Sequence, residues 1–88
     1  MKDFALIFNN RGFAYYNLGR YDRAIQDYDQ AIKLNPNDAE AFNSRGISYS
    51  DKGQLDRAIQ DYDQAIKPNP NYTVAIKNRA SAIAKQDR

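Results

Sequence analysis

Apolar side chains recur at steps of three and four residues through much of the chain. The most regular run is Tyr21, Ala24, Ile25, Tyr28, Ala31 and Ile32. Polar side chains occupy the positions in between, so the apolar positions lie on one face of a predicted helix. The same run returns 34 residues later as Leu55, Ala58, Ile59, Tyr62, Ala65 and Ile66. The pattern therefore predicts two amphipathic helices of one kind.

Shorter apolar runs precede each of these segments and follow the second one, and no strand-like alternation competes with them. Gly19 and Gly53 stand where a helix must end, since glycine adopts the left-handed conformation at little cost. Asp38 and Asn71 are typical N-terminal caps for the helices that follow them. We predict five helices, at about residues 4–17, 21–34, 38–51, 55–67 and 72–86.

Pro68 breaks the symmetry between the two amphipathic helices, because it stands where the first helix has Leu34. Proline has no amide hydrogen, and it disfavours helical geometry at the residue before it. We therefore expect the fourth helix to end about one to three residues earlier than the second. If Leu34 packs against the fold, the substitution Pro68→Leu should be stabilising.

The chain consists largely of two copies of one 34-residue unit. Residues 5–38 and 39–72 align without gaps, and 22 of the 34 pairs are identical. The segment 22–33 returns unchanged as 56–67. A repeat of this period is typical of a fold in which stacked units bury their apolar faces against one another. Such folds usually present a surface to another molecule rather than a catalytic pocket.

Seven positions in each copy resemble the signature of the tetratricopeptide repeat family. They are Phe8, Gly12, Tyr15, Ala24, Tyr28, Ala31 and Pro36, and then Phe42, Gly46, Tyr49, Ala58, Tyr62, Ala65 and Pro70. Residues 73–88 match only the first helix of a repeat. The resemblance implies that the small residues Gly12 and Gly46 let the paired helix approach closely, at Ala24 and Ala58.

The fold implied by this resemblance is all-α. Antiparallel helix-turn-helix repeats would stack into a short right-handed superhelix, an alpha-alpha solenoid. The chain would form a single domain, 1–88, with repeat one at 5–38, repeat two at 39–72 and a terminal capping helix at 73–88.

An arginine precedes the small residue of each repeat, where the family commonly has an apolar side chain. The three are Arg11, Arg45 and Arg79. A buried guanidinium needs a carboxylate or a path to solvent, and the second helices carry aspartates at positions 27, 29, 61 and 63. We predict that each arginine pairs with one of these aspartates, and that Arg45 pairs with Asp27 or Asp61. The alternative is that the arginines hold the carboxylate of a ligand.

The composition excludes most catalytic chemistry. The chain has no histidine and no cysteine, so it lacks imidazole bases, thiol nucleophiles and the usual zinc ligands. Asp27 and Asp29 point about 200° apart on a helix and cannot share one metal ion. We therefore predict no enzyme activity, no catalytic residues, no metal site and no cofactor.

Charge and hydropathy narrow the range of partners. The 13 Lys and Arg residues nearly balance the 11 Asp and Glu residues, so nucleic acid and membrane are not favoured as partners. No apolar run has the length of a membrane span and no signal peptide is visible. We expect a cytoplasmic protein with a protein or peptide ligand.

In the family that the chain resembles, the first helices line a concave groove that grips a peptide or helix of a partner. The resemblance assigns twelve principal positions to this groove: Asn9, Asn10, Phe13, Tyr16, Asn17, Glu40, Asn43, Ser44, Ile47, Asp51, Lys77 and Asn78. Of the 12 differences between the copies, ten fall in residues 6–21 against 40–55, where a partner would be recognised. The alternative interpretation is that Phe13, Tyr16 and Ile47 belong partly to the core.

The predicted function is thus a non-catalytic protein-protein interaction module, or scaffold. The family's clamp for acidic chaperone tails is not encoded, because neutral residues stand at its positions: Asn9, Phe13, Ser44, Val74 and Asn78. Two other functions stay open. The chain could be an assembly element, either a slice of a longer array or a unit that self-associates through exposed terminal helices. By analogy with pentatricopeptide repeats, it could also bind single-stranded RNA.

Overall fold

Five helices follow one another along the chain in the computed structural model, which describes residues 3–88. They are α1 (Phe4–Asn17), α2 (Tyr21–Leu34), α3 (Ala39–Asp51), α4 (Leu55–Ile66) and α5 (Thr73–Gln86). No β-strand occurs in this described part of the chain. The predicted all-α fold is confirmed, and every helix boundary lies within one residue of its predicted position.

Short acidic side chains begin two of the helices. Asp3 accepts a hydrogen bond from the Leu6 amide at 3.0 Å, and Asp38 accepts one from the Ala41 amide at 3.3 Å. The predicted cap at Asn71 is wrong, because α5 begins one residue later, after Tyr72. The 34-residue period explains the shift, since it places the equivalent of Asp38 at Tyr72, whose side chain makes no capping bond.

Helices α1 and α3 each end in a glycine turn, as predicted. Gly19 and Gly53 adopt φ values of 76° and 86°, in the left-handed region that favours glycine. The Gly19 amide donates to the Tyr16 carbonyl and the Arg20 amide donates to the Tyr15 carbonyl, both at 2.9 Å. This pair of bonds satisfies the last carbonyls of α1 and reverses the chain into α2.

Pro68 shortens the fourth helix as expected. Helix α4 ends at Ile66, two residues before the position equivalent to the last residue of α2, Leu34. Leu34 itself is 54% exposed. The premise that would make Pro68→Leu stabilising, a packed leucine at this position, is therefore not met.

The helices pack in sequence. The pairs α1–α2 and α3–α4 form the two hairpins, α2 packs on α3, and α4 packs on α5. Smaller contacts join α1 to α3 and α3 to α5, so the three first helices lie side by side. The molecule measures 45 × 29 × 16 Å. Its fully buried apolar side chains are mainly alanine and tyrosine: Ala24, Tyr28, Ala31, Ala41, Ala58, Tyr62, Ala65, Ala75 and Ala82.

Glycine gives each hairpin its close approach, but chiefly to a tyrosine. A Cβ atom added to Gly12 would lie 2.8 Å from Cε1 of Tyr28, and one added to Gly46 would lie 2.7 Å from Cε1 of Tyr62. In the second repeat the same added Cβ atom would lie 3.2 Å from the Ala58 carbonyl oxygen, so the predicted close approach of Gly46 to Ala58 is present there. The tyrosine ring therefore occupies the space that a side chain at the glycine would need.

Candidate functional site

The three arginines of the series pair with aspartates on the second helices. Arg45 forms a double hydrogen bond with Asp61, from Nε to Oδ2 at 2.9 Å and from Nη2 to Oδ1 at 2.8 Å. Its Nη1 donates to Asp29 Oδ1 at 2.8 Å. The predicted Asp61 pair is confirmed, and the second acid is Asp29 because Asp27 is held by Arg11.

The arginines at the two ends have fewer acidic partners. Arg11 forms the double bond with Asp27, at 2.8 Å for both contacts. Arg79 donates from Nε to Asp63 Oδ1 at 2.5 Å. All three side chains are thus committed to carboxylates of this chain, which supports their predicted structural role over the capture of a ligand carboxylate.

Arg45 and Asp61, the ion pair in the middle of the series, each act on the pKa of the other. The hydrogen bond to Asp61 raises the pKa of Arg45 above its ordinary value, and burial acts against this shift. Burial raises the pKa of Asp61, while the Arg45 guanidinium opposes that change. Arg45 also lies 5.5 Å from the centre of the Phe42 ring and 6.0 Å from that of Tyr49. Arg45 therefore stays charged, with its guanidinium held over two aromatic rings and against two acids.

The twelve predicted groove residues differ in how far they reach the surface. Six are exposed: Asn10, Phe13, Asn17, Glu40, Asp51 and Lys77. Five are half-buried: Asn9, Tyr16, Ser44, Ile47 and Asn78. Asn43 is 5% exposed, since the Asn78 side chain donates from Nδ2 to its Oδ1 at 3.2 Å. A partner would meet Asn78 at this point rather than Asn43.

Two side-chain bonds link α1 to α3 and to the residue that caps it, Asp38. The Tyr16 hydroxyl donates to Asp51 at 2.5 Å, and this bond, together with burial, raises the pKa of Tyr16 to about 12. Asn9 Nδ2 donates to Asp38 Oδ2 at 2.8 Å. These bonds therefore help to fix the spacing of α1 and α3.

A small depression of about 50 Å³ lies between α1 and α3. Its lining brings together four predicted groove residues and Tyr28 of α2: Phe13, Tyr16, Tyr28, Ser44 and Ile47. Phe13 stands beside it with 59% of its surface exposed, whereas Tyr16 and Ile47 are half-buried. The interpretation that these residues are partly core thus holds for Tyr16 and Ile47 but not for Phe13.

Tyr28 is the lining residue that sequence reasoning assigned only to the core. Burial raises the pKa of Tyr28 to about 12. Gly12 lets the ring pack closely against α1, and only 2% of the Tyr28 surface stays exposed. The depression therefore depends on both helices of the first repeat.

Within residues 3–88, no group of three His, Cys, Asp or Glu side chains is placed to hold a metal ion. None of the helices in that range combines the length and hydropathy that a bilayer span requires. The aspartates instead serve as acceptors for arginine, tyrosine and asparagine side chains.

Solved structures with the same arrangement of helices include several that hold a bound peptide. The first TPR domain of Spaghetti (RPAP3), bound to the HSP90 peptide SRMEEVD, has a TM-score of 0.89 and 28% identity over 94% of this chain and 68% of that chain. The second TPR domain of human RPAP3, in complex with the HSP70 peptide SGPTIEEVD, has a TM-score of 0.86 and 31% identity over 89% and 65%. The TPR2B domain of yeast Sti1 in its Hsp70 complex has a TM-score of 0.92 and 26% identity over 98% and 70%.

Sequence models of a protein family also match the chain. A tetratricopeptide repeat model matches residues 5–38, and a second model of that family matches residues 27–60. No curated protein sequence matches the chain. The repeat models, the five sequential helices and the structural neighbours together show that the chain belongs to the tetratricopeptide repeat family, a family of protein-interaction modules whose fold is generally non-catalytic.

Proposed function

We propose that the face formed by α1, α3 and α5 binds a segment of a partner protein, and that it does so without catalysis. The observation that carries this proposal is the exposed Phe13 ring beside the depression between α1 and α3. An exposed aromatic ring next to a small apolar recess is typical of an interface anchor. The recess has room for one small aliphatic side chain, which would pack against Phe13 and Ile47.

The peptides bound by the neighbouring domains end in acidic sequences, which suit basic binding sites. In this chain, the five positions of the chaperone clamp are neutral: Asn9, Phe13, Ser44, Val74 and Asn78. The middle helix adds Glu40 and Asp51, both exposed. At these positions a carboxylate-rich tail would therefore meet no lysine or arginine, and Arg11 and Arg45 of the same helices are already bonded to aspartates. We infer a partner segment with an apolar anchor and a neutral or basic character.

Selection from a random peptide library displayed on phage tests this proposal. We expect the selected peptides to carry an aliphatic residue and little acid. Their affinity should fall about tenfold or more for Phe13→Ser, because loss of a central aromatic anchor typically costs that much binding. Fluorescence anisotropy of the labelled peptides measures the change.

Phe4→Ser is the matched control, since Phe4 is an equally exposed phenylalanine of α1 that does not line the depression. It should leave the affinity unchanged. The HSP90 peptide SRMEEVD serves as the acidic reference and should bind more weakly than the selected peptides. Equal binding to wild type and Phe13→Ser, or a preference for SRMEEVD, would show that the proposed site is wrong.

A further inference from the structure

Equivalent positions of the three first helices lie side by side on the predicted groove. The Tyr16 hydroxyl of α1 donates to Asp51 of α3, which stands 35 positions later. The Asn78 amide of α5 donates to Asn43 of α3, which stands 35 positions earlier. A repeat of 34 residues therefore aligns its copies in rows across α1, α3 and α5. We name one of these rows, near the N-terminal ends of the three helices, the Glu40 row: Leu6, Glu40 and Val74.

Glu40 is the charged member of this row and the single glutamate of the chain. Its two equivalents, Leu6 and Val74, are aliphatic, and each is 53% exposed. An acid in the first turn of α3 suits the helix dipole, but Asp38 already caps that helix. Since α1 and α5 form with an aliphatic residue at the same position, the fold does not require an acid at position 40.

The Glu40 carboxylate is exposed and has no basic partner among residues 3–88. None of the ion pairs in that part of the chain involves Glu40, although Lys77 of α5 is exposed on the same groove. The two other acids of the groove, Asp38 and Asp51, already accept hydrogen bonds from side chains of α1. Glu40 is therefore the acid of the groove that stays open to a cation of a partner.

Glu40 and the depression between α1 and α3 lie within reach of one bound segment. Ile47, which lines the depression, follows Glu40 by seven residues on α3, or about 10 Å along the helix axis. Burial raises the pKa of Tyr28, another lining residue, and the Glu40 carboxylate adds to this shift, so its field reaches the depression. A peptide in the polyproline II conformation places residues three apart on one face, about 9 Å from each other. One turn of such a peptide therefore spans the two places.

We propose that Glu40 binds an arginine or lysine of the partner segment, about three residues away from the aliphatic residue that fills the depression. The inference rests on the proposed function and adds to it the charge and the spacing that the partner must carry. The cation pairs with the Glu40 carboxylate, and its methylene stem packs on Leu6 or Val74, the aliphatic neighbours of Glu40 in the row.

Two selections from one phage library of random peptides test the inference, with the wild-type chain and the Glu40→Arg chain as baits. We expect the wild type to select an aliphatic residue with a basic residue about three positions away. Glu40→Arg should keep the aliphatic preference and exchange the basic residue for an acidic one. An aliphatic preference without this exchange would overturn the inference and leave the proposed function standing. Loss of the aliphatic preference in both selections would overturn the two together.

Glu40→Gln decides the question if the Glu40→Arg chain does not fold. It should weaken binding of the basic peptide selected by the wild type about twofold to fivefold, as measured by fluorescence anisotropy. A peptide with glutamine in place of the basic residue should bind the wild type and Glu40→Gln equally. Asp87→Asn is the matched control, because Asp87 is an exposed acid on the outer side of α5, and it should leave the affinity unchanged. Equal losses for Glu40→Gln and Asp87→Asn would attribute the effect to net charge and overturn the inference.

Discussion

Helices α3 and α1 have the same residues at several positions, yet they bury them to different extents. Arg45 has 21% of its side chain exposed, whereas Arg11 has 59%. Asn43 is buried and Asn9 is only half-buried. The reason is position in the stack, since α3 has a neighbouring hairpin or helix on each side and α1 has one on a single side. The position of a helix in the stack, and not residue type alone, therefore determines how much each of two equivalent residues contributes to stability.

The largest contrast is expected for the arginines. Arg45→Ala leaves Asp61, which is buried, without its double hydrogen bond, and should lower the free energy of unfolding by about 1.5–3 kcal/mol. Asp27 is as buried as Asp61, but Arg11→Ala should have a smaller effect, because Arg11 is 59% exposed and its removal opens a path for water to Asp27. Urea denaturation of the two variants measures the difference.

Arg45→Leu refines this test. It should cost less than Arg45→Ala, because leucine keeps apolar contact with the neighbouring rings of Phe42 and Tyr49. Equal losses for Arg45→Ala and Arg11→Ala would contradict the dependence on stack position. If Arg45→Ala instead lost partner binding at unchanged stability, the arginines would belong to the binding site.

Much of this fold could be predicted from the sequence, because a strict period supplies two examples of each contact. The helix boundaries, the glycine turns and the Arg45–Asp61 pair all follow from one repeat and its copy. The choice between Asp27 and Asp29 as the second acid of Arg45 could not be predicted in this way. Equivalent positions in a repeat do not reveal which neighbouring hairpin an acid will face, and three-dimensional packing decides it.

The candidate site was less predictable than the fold. Asn43 was expected to line the groove, but the Asn78 amide from the next first helix covers it. Tyr28 was expected only in the core, but its ring also lines the depression. Both differences depend on contacts between helices that are far apart in sequence. The periodicity of a single helix predicts which side of it a residue lies on, but not which other helix covers that residue.

A second contrast concerns small residues. Ala58 is fully buried beneath Gly46, so Ala58→Leu should overpack the second hairpin and cost about 1–3 kcal/mol. Ala80→Leu makes the same change on the exposed side of α5 and should alter stability by no more than about 0.5 kcal/mol. Thermal unfolding followed by circular dichroism compares them. An unchanged melting temperature for Ala58→Leu would show that the hairpin packing is wrong.

For the core tyrosines we expect no contrast between the repeats. Burial raises the pKa of Tyr28 and of Tyr62 to about 12, above the value of about 10 in an unfolded chain. The folded state therefore holds these protons more tightly. Stability is unaffected below about pH 10 and falls as the pH rises from there through about 12.

The matched variants Tyr28→Phe and Tyr62→Phe should each raise the midpoint of alkaline unfolding, and by similar amounts. Far-ultraviolet circular dichroism during a base titration measures the midpoint of unfolding, and tyrosinate absorbance reports the ionisation itself. A shift for one variant without the other would show that the two rings have different surroundings, despite the identical helices that carry them.

The smallest effect is expected at the ends of the second helices. Helix α2 continues to Leu34, whereas α4 stops at Ile66 because Pro68 cannot donate a backbone hydrogen bond. Pro68→Leu should extend α4 by about two residues, which NMR amide shifts would detect. Since Leu34 is 54% exposed, a leucine at this position gains little burial, and the free energy of unfolding should change by no more than about 0.5 kcal/mol. A gain well above that value would mean that the new leucine packs against the fold, so that the ends of the two helices differ in their surroundings as well as in length.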